Sequence, residues 1–396
     1  MRRRRIGGDS TRGGAMKFPT RIFSIVGRAI FVSLLGLPAA AHSDPIPTDP
    51  VYGVSLFAAN VGSPSGMTLS GGGDLFFTDY PGGRVLKISA PFQSGINSFS
   101  VHATGIAYPT DLAFARDGRL LVTSSTGPSS AILQVAPDGT TSVFATGFSY
   151  PTSIVAAGAD LYVTNSGDGT IVRVSANGTV SPFVSGLSAP NGPFGISYDG
   201  VSALYFADHG TGRIFRTDLG GHLTLLGVLT PFGASETGVA PDGTVYLNDL
   251  IAASFYHVDA QGYISPFASG FAGKTNPPYN GPGPIAFDRV GNVFIGDGTS
   301  IWKFTPPPSV AIQNYSRQIS VSSLSDVKKM AIAKRLDRMA EILNDSNPDN
   351  DTAACGVLKS IVNEINASER SGDMIVSEVE ALLQSAAAVG SIVGCP

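Results

Sequence analysis

Asp111 and Glu236 hold the same place in a recurring segment, within Pro109-Thr110-Asp111-Leu112 and Ala234-Ser235-Glu236-Thr237. Two acids at a position otherwise taken by small residues need solvent or a cation. They are either solvated rim residues or a cation or polyol site, and their hard oxygens would suit Ca²⁺. Asp208-His209 adds an imidazole that could act as a base near neutral pH, or a histidine in a surface turn. Asn191, in Ala189-Pro190-Asn191-Gly192, contributes a carboxamide. Asp111, Asn191, Asp208, His209 and Glu236 are therefore the candidate ligand-binding residues, with no catalytic or metal residue assigned. The chain has no Gly-x-Ser-x-Gly elbow, His-Glu-x-x-His motif or phosphate loop. Further Asp and Asn residues end β-rich runs, at Asp79, Asn165, Asp249 and Asp297, where short polar side chains serve turn chemistry.

The elements that position these groups are set by repetition. Six segments align without gaps, starting at Pro64, Pro109, Pro151, Pro193, Ala234 and Pro282, with spacings of 45, 42, 42, 41 and 48 residues. A turn follows each start, as at Asp117-Gly118, then a β-rich run such as Leu161-Tyr162-Val163-Thr164-Asn165. A third strand such as Thr170-Ile171-Val172-Arg173-Val174 and a fourth such as Val180-Ser181-Pro182-Phe183-Val184 complete the unit. Four short strands in about 42 residues make one propeller blade. The first strand alternates bulky residues (Met67, Leu112, Ile285) with slim ones (Gly66, Ala113, Ala286), and period two places the two sets on opposite faces. Such sheets stack as wedges, bulky face on slim face.

The sixth unit reaches its third strand, Ile301-Trp302-Lys303-Phe304, and then meets Pro306-Pro307-Pro308, which ends β structure. Val54-Ser55-Leu56-Phe57-Ala58 is the candidate for its missing fourth strand. Phe57 precedes Pro64 by seven residues, as Phe144 precedes Pro151. The predicted fold is mainly β: a six-bladed β-propeller over residues 42–305, closed by an N-terminal strand that hides the open edge.

The units resemble those of the NHL, YVTN and SMP-30/gluconolactonase-like six-bladed propellers. Gly291-Asn292-Val293-Phe294-Ile295-Gly296-Asp297 is similar to the NHL pattern, and Tyr162-Val163-Thr164-Asn165 spells the YVTN motif. These motifs are architectural and speak to fold before activity. The resemblance to SMP-30-like enzymes implies metal ligands of Asn or Asp type directly before the first-strand Gly. Asn191-Gly192 matches that dipeptide, but the gapless alignment puts Phe194-Gly195 there and makes Asn191 part of a three-residue insertion. Ser65, Thr110, Thr152, Ser235 and Gly283 fill the equivalent positions, and none is a carboxylate or carboxamide.

After residues 306–320, read as a Pro-rich linker, the pattern turns helical over 321–396. Val327, Met330, Leu336, Met339 and Leu343 mark one helix, and Leu358, Ile361, Val362 and Ile365 a second. Ser377-Glu378-Val379-Glu380 reads as a capping-box start of a third, continued by Leu382, Leu383, Ala386 and Val389. A small three-helix domain is expected. The stretch Ala354-Cys355, Val357-Leu358, Ile361-Val362-Asn363-Glu364, Leu382-Leu383 and Cys395 resembles the FIMAH domain of secreted bacterial proteins, which implies an accessory or adhesive role.

Residues 1–41 read as a signal peptide: eight bases and one acid among them, the apolar run Ala29–Leu37, and Ala39 and Ala41 as a small-x-small cleavage pattern. Met16 begins a tidier signal than Met1 does. The whole chain has 26 Lys and Arg against 30 Asp and Glu, so removal of 1–41 leaves 18 bases, 29 acids and a net charge of −11. No basic face remains for nucleic acid, and no later stretch is long and apolar enough to span a membrane. A secreted or periplasmic protein follows, in which Cys355 and Cys395, the only cysteines, are expected to pair. Gly and Pro, 48 and 27 of 396 residues, are too many for a helix bundle and too aperiodic for collagen. The sequence reads as an exported propeller that binds a small molecule, carbohydrate or protein at its channel mouth without assumed catalysis. Its only cofactor candidate is Ca²⁺. The alternative is a hydrolase or lyase using a metal near Asn191, Glu236 and Asp111. Asn177, Asn314 and Asn366 head glycosylation sequons.

Overall fold

The computed structural model describes residues 44–48, 52–259, 262–271, 282–345, 347 and 351–395. The expected signal peptide lies outside them. Alternating residues and glycine turns produce six antiparallel sheets, each entered at its innermost strand. The first four blades begin at Pro64–Leu69, Pro109–Phe114, Pro151–Ala157 and Ile196–Tyr198, and the last two at Ala234–Val239 and Ile285–Phe287.

The ring closes where the spacing placed the closure. Strand Gly53–Ala59 pairs with Ser300–Thr305, with Val54 opposite Phe304 and Leu56 opposite Trp302. The register shifts between Leu56 and Ala58, leaving Phe57 as a bulge whose ring is buried against Phe294, 4.9 Å between centroids. Bulky faces meet slim faces as the alternation requires. Met67 of blade 1 packs in one cluster with Ala286 of blade 6, and a Cβ on Gly238 would come within 2.7 Å of both Ile285 and Phe287. A feature the repeats did not indicate is Ile46–Pro47, which adds a fifth strand to blade 5 opposite Ser269 and Ala268.

Side-chain donors stitch neighbouring blades together near the hub. Ser65 Oγ donates to Pro109 O at 2.9 Å, Thr110 Oγ1 to Pro151 O at 2.9 Å, and Thr152 Oγ1 to Pro193 O at 3.0 Å. Between blades 5 and 6, Asn248 Nδ2 donates to Pro282 O at 2.7 Å. Between blades 4 and 5 the backbone takes over, Gly195 N donating to Ser235 O at 2.6 Å.

Four helices follow where three were expected: α1 (Pro308–Val321), α2 (Asp326–Asn344), α3 (Asp351–Arg370) and α4 (Val376–Ile392). The stretch read as a linker is largely α1. Proline in the first turn of a helix is compatible with it, because that N–H has no intrahelical partner in any case. The expected capping box does not form. Helix α4 begins at Val376, one residue before Ser377, and Ile375 precedes it without a side-chain cap; the Glu378 carboxylate accepts hydrogen bonds from Ser323 N, at 2.6 Å, and from Ser323 Oγ. The helices dock on the turns that join first to second strands in blades 6 and 1. Asn314 Nδ2 donates to Val290 O, Gln318 Nε2 to Arg289 O and Gln384 Nε2 to Gly72 O. Gly291, at φ +97°, admits this contact, since a Cβ there would sit 2.7 Å from Asn314 Nδ2. Asn314 is 2% exposed, so its sequon is closed in the folded protein.

Cys355 and Cys395 form a disulfide, Cα to Cα 5.4 Å, closing a separation of 40 residues. Its reduction should lower the melting temperature of the helical unit, with roughly 4 kcal/mol lost in the chain-entropy model; calorimetry with and without reductant measures this, and equal melting temperatures refute it. Among the described residues the buried Tyr315 hydroxyl has no hydrogen-bond partner. Tyr315→Phe should therefore stabilise the protein by about 1 kcal/mol, read as a rise in denaturant midpoint.

Candidate functional site

The innermost strands of all six blades enclose a central channel cavity of about 280 Å³. Asp111 and Glu236 both line it. They lie in blades 2 and 5, three blades apart, and so on opposite sides of a six-bladed ring. Each follows a glycine at the same position one blade earlier. A Cβ on Gly66 would stand 2.4 Å from Asp111 Cα, and one on Gly195 would stand 2.6 Å from Glu236 Cα. The ring thus repeats as Gly66, Asp111, Ser153 and again as Gly195, Glu236, Pro284.

The third member separates the two halves. Ser153 Oγ donates to Asp111 Oδ2 at 2.6 Å, and Ile154 N donates to the same oxygen at 3.0 Å. Leu112 N donates to Oδ1 at 2.8 Å. Ser153 Oγ itself accepts from Ile196 N at 3.2 Å. Asp111 therefore ties blade 2 to blade 3 through a fully engaged carboxylate. Burial raises its pKa to about 6, against the opposing pull of Ser153 and the two backbone donors. Blade 6 has Pro284 where blade 3 has Ser153, and Glu236 is half-buried on the channel wall.

Asn191, Asp208 and His209 form a second group at the mouth, around the loop entering blade 4. Asn191 is exposed and is not among the residues lining the channel. Asp208 accepts from Ser188 N at 3.1 Å, from Ser188 Oγ, and from Thr211 Oγ1 at 2.6 Å. His209 is only 7% exposed. Its Nδ1 lies 2.8 Å from Ala234 O, so Nδ1 carries the proton and donates. The ring stacks on Phe194 at 4.1 Å and 9° and meets the edge of Phe232 at 5.7 Å. Burial lowers its pKa and keeps it neutral near pH 7. Its chemistry is that of a packed, neutral ring rather than a solvated turn residue. The metal set of Asn191, Glu236 and Asp111 is not gathered at one place, and no group of three His, Cys, Asp or Glu able to hold a metal occurs among the described residues.

The recurring Asp and Asn behave as turn residues. Asp79 accepts from Ser63 N at 3.0 Å and pairs with Arg84; Asp249 accepts from Ile251 N and Ala252 N. Sequence reasoning overlooked the residues one place earlier. Thr78, Thr123 and Thr164 accept from the innermost-strand N–H groups of Gly66, Asp111 and Ser153 at 2.8 to 2.9 Å. The signal was present as Thr before Asp79, Ser124 and Asn165. Also overlooked was a set of exposed mouth aromatics, signalled by Tyr108-Pro109 and Tyr150-Pro151 at repeat starts.

No protein-family model matches the chain, and no curated protein matches it in sequence. Solved structures do match in fold. A gluconolactonase from Xanthomonas campestris is 15% identical, with a TM-score of 0.54 over 67% of this chain and 95% of that one. A protein of unknown function from Bacteroides thetaiotaomicron is 17% identical, with a TM-score of 0.51 over 64% and 76%. The virginiamycin B lyase of Staphylococcus aureus is 16% identical, with a TM-score of 0.49 over 64% and 99%. At these identities the likeness concerns the propeller fold.

Asp111 generates a pH prediction. Its folded pKa, about 6, lies above the ordinary 3.8. Between these values the folded protein keeps a proton that the unfolded chain releases, so stability falls as pH rises through that window and levels off above it. Asp111→Asn should remove this part of the slope; parallel unfolding curves of both proteins from pH 4 to pH 7 would contradict the assignment.

Proposed function

We propose that this is an exported binding propeller that takes a ligand at the channel mouth, with no catalytic step assumed. The observation that carries the reading is the placement of Glu236. It lies on the channel wall opposite a carboxylate already committed to holding blades together, beneath a face that the docked helices leave open. Several polar groups around the mouth are held within the fold. His209 is neutral and locked to Ala234 O, Ser153 donates to Asp111, and Asp208 is held by Ser188 and Thr211. The Cys355–Cys395 disulfide supports an oxidising compartment, in keeping with the signal-like residues 1–41. Among the described residues no helix is long and apolar enough to cross a membrane.

Native mass spectrometry of protein purified without denaturation tests this. A small-molecule adduct should accompany the wild type. Glu236→Ala should weaken its retention about ten- to a hundred-fold, the range for a lost hydrogen bond to a charged group, while circular dichroism stays unchanged. Turnover of a lactone or ester panel that ceases in chelator would replace the binding reading with the hydrolase one. Identical adduct-free spectra for both proteins would remove Glu236 from the account.

A further inference from the structure

On the face that carries the turns between first and second strands, a pocket of about 350 Å³ opens between blades 2 and 3. It shares no lining residue with the channel. Its apolar walls are Ala115 and Phe144 of blade 2 and Ala159, Leu161 and Ala176 of blade 3. The two blades touch along its outer side, where a Cβ on Gly178 would lie 2.5 Å from Phe144 O.

Two departures from the repeat open this space. In blades 1, 3 and 5 an aromatic residue of the second strand meets one of the outermost strand. Phe76 meets His102 at 5.1 Å, Tyr162 meets Phe183 at 4.6 Å and Tyr246 meets Phe267 at 4.9 Å, steeply inclined at 82°, 68° and 88°. Blade 2 has Leu121 in that place, second in Leu120–Ser124 as Phe76 is second in Leu75–Asp79. No ring among the described residues therefore pairs with Phe144, and only the Arg119 guanidinium lies over it, 4.8 Å from the centroid. The second departure is Ala176. Two residues before the turn glycines Gly139 and Gly221, blades 2 and 4 have Pro137 and Leu219, whereas blade 3 has Ala176 before Gly178.

Charge at the edge narrows what could enter. Arg119 is committed: its Nε donates to Asp117 Oδ2 at 2.8 Å and its Nη2 to Ala176 O at 2.9 Å. Asp160, between two wall residues, pairs with Arg173 at 2.6 Å. Arg116 lines the pocket, is exposed, and pairs with no acid among the described residues. Arg116, Arg119 and Arg173 are thus set against Asp117 and Asp160, and the unmatched charge is that of Arg116. A planar carboxylate fits the guanidinium fork. A ligand ring beside Phe144 would supply the edge-to-face contact that the chain itself supplies in blades 1, 3 and 5.

The geometry points to a small aromatic carboxylate as the ligand of this pocket, its ring against Phe144, Leu161 and the alanines and its carboxylate on Arg116. The site is separate from the channel mouth and goes beyond the ligand proposed there. Ligand-observed NMR titration of the purified protein with 3-phenylpropanoate, 3-phenylpropanamide and 3-cyclohexylpropanoate tests it. The aromatic acid should bind about five-fold more tightly than its uncharged amide, as for an exposed ion pair, and weaken as salt rises. It should bind about two- to ten-fold more tightly than the cyclohexyl acid. Arg116→Gln should bring the aromatic acid down to the amide and leave the amide unchanged. Ala176→Leu should abolish binding of all three, and the fold accepts leucine there as it accepts Leu219 in blade 4. Equal affinity for acid and amide, or an acid indifferent to Arg116→Gln, overturns the carboxylate assignment. Equal affinity for the cyclohexyl acid overturns the aromatic one. Binding that survives Ala176→Leu with circular dichroism unchanged, or no binding of any probe, overturns the site itself. An adduct lost in Glu236→Ala would still support a ligand at the mouth in each of these cases.

Discussion

The pairing of Gly53–Ala59 with Ser300–Thr305 is the contact on which the molecule depends, because it joins the two ends of the propeller in one sheet. A wedge-shaped blade buries its bulky face only against a neighbour's slim face, so six blades in a row would leave one face of each kind exposed. Closure brings Met67 of blade 1 against Ala286 of blade 6 and buries Phe57 and Phe294 between them. It also covers the outer edge of blade 6, whose unpaired backbone groups would otherwise invite association. The preceding residues extend the same logic to blade 5 through Ile46–Pro47.

A closed ring draws six innermost strands to a common axis, and their backbone groups must be satisfied there without regular strand neighbours. Hydroxyls and one carboxamide do this, each bridging a second strand, its own first strand and the next blade. Asp111 is a variation on that theme. Its carboxylate accepts from its own blade and from the next, at the cost of burying a charge. That cost is visible as a raised pKa and is limited by three donors. Glu236 stands at the matching place across the axis but faces a proline-bearing blade. A near-repeat of one pattern therefore places one acid between two blades and a second acid on the channel wall across from it.

The helical unit leaves this mouth free because it binds the opposite turns. Val290, in a turn of blade 6, is buried in the same cluster as Tyr315, Ile319 and the apolar faces of the other helices. The propeller thus contributes a residue to the helical core, and the polar clamps of Asn314, Gln318 and Gln384 hold backbone carbonyls around it. A disulfide adds a covalent restraint within that unit.

Much of the architecture was legible in the chain itself, because it rests on local periodicity. Alternation of period two, a repeat of about 42 residues and the equal spacing of Phe57 to Pro64 and Phe144 to Pro151 together specify blades, their number and their closure. Apolar spacing likewise marked α2, α3 and α4, and the cysteines marked their own bond. What escaped was decided by contacts between segments distant in sequence. Helix α1 looked like a linker because three prolines end a strand, yet Pro308 sits in a first helical turn and Tyr315 and Ile319 are buried in one cluster with the other helices and Val290 of blade 6. Ser377 and Glu380 had the spacing of a capping box, yet helix α4 begins at Val376 without a side-chain cap. Asn191 and His209 looked equivalent as mouth residues, and packing made one exposed and the other a neutral ring clamped between two phenylalanines. Residue type and spacing determined the wheel. Which side chains face its hub, which are consumed in holding it together and which remain open to a ligand were settled by tertiary packing, since burial and hydrogen-bond partnership are properties of surroundings and not of a residue alone.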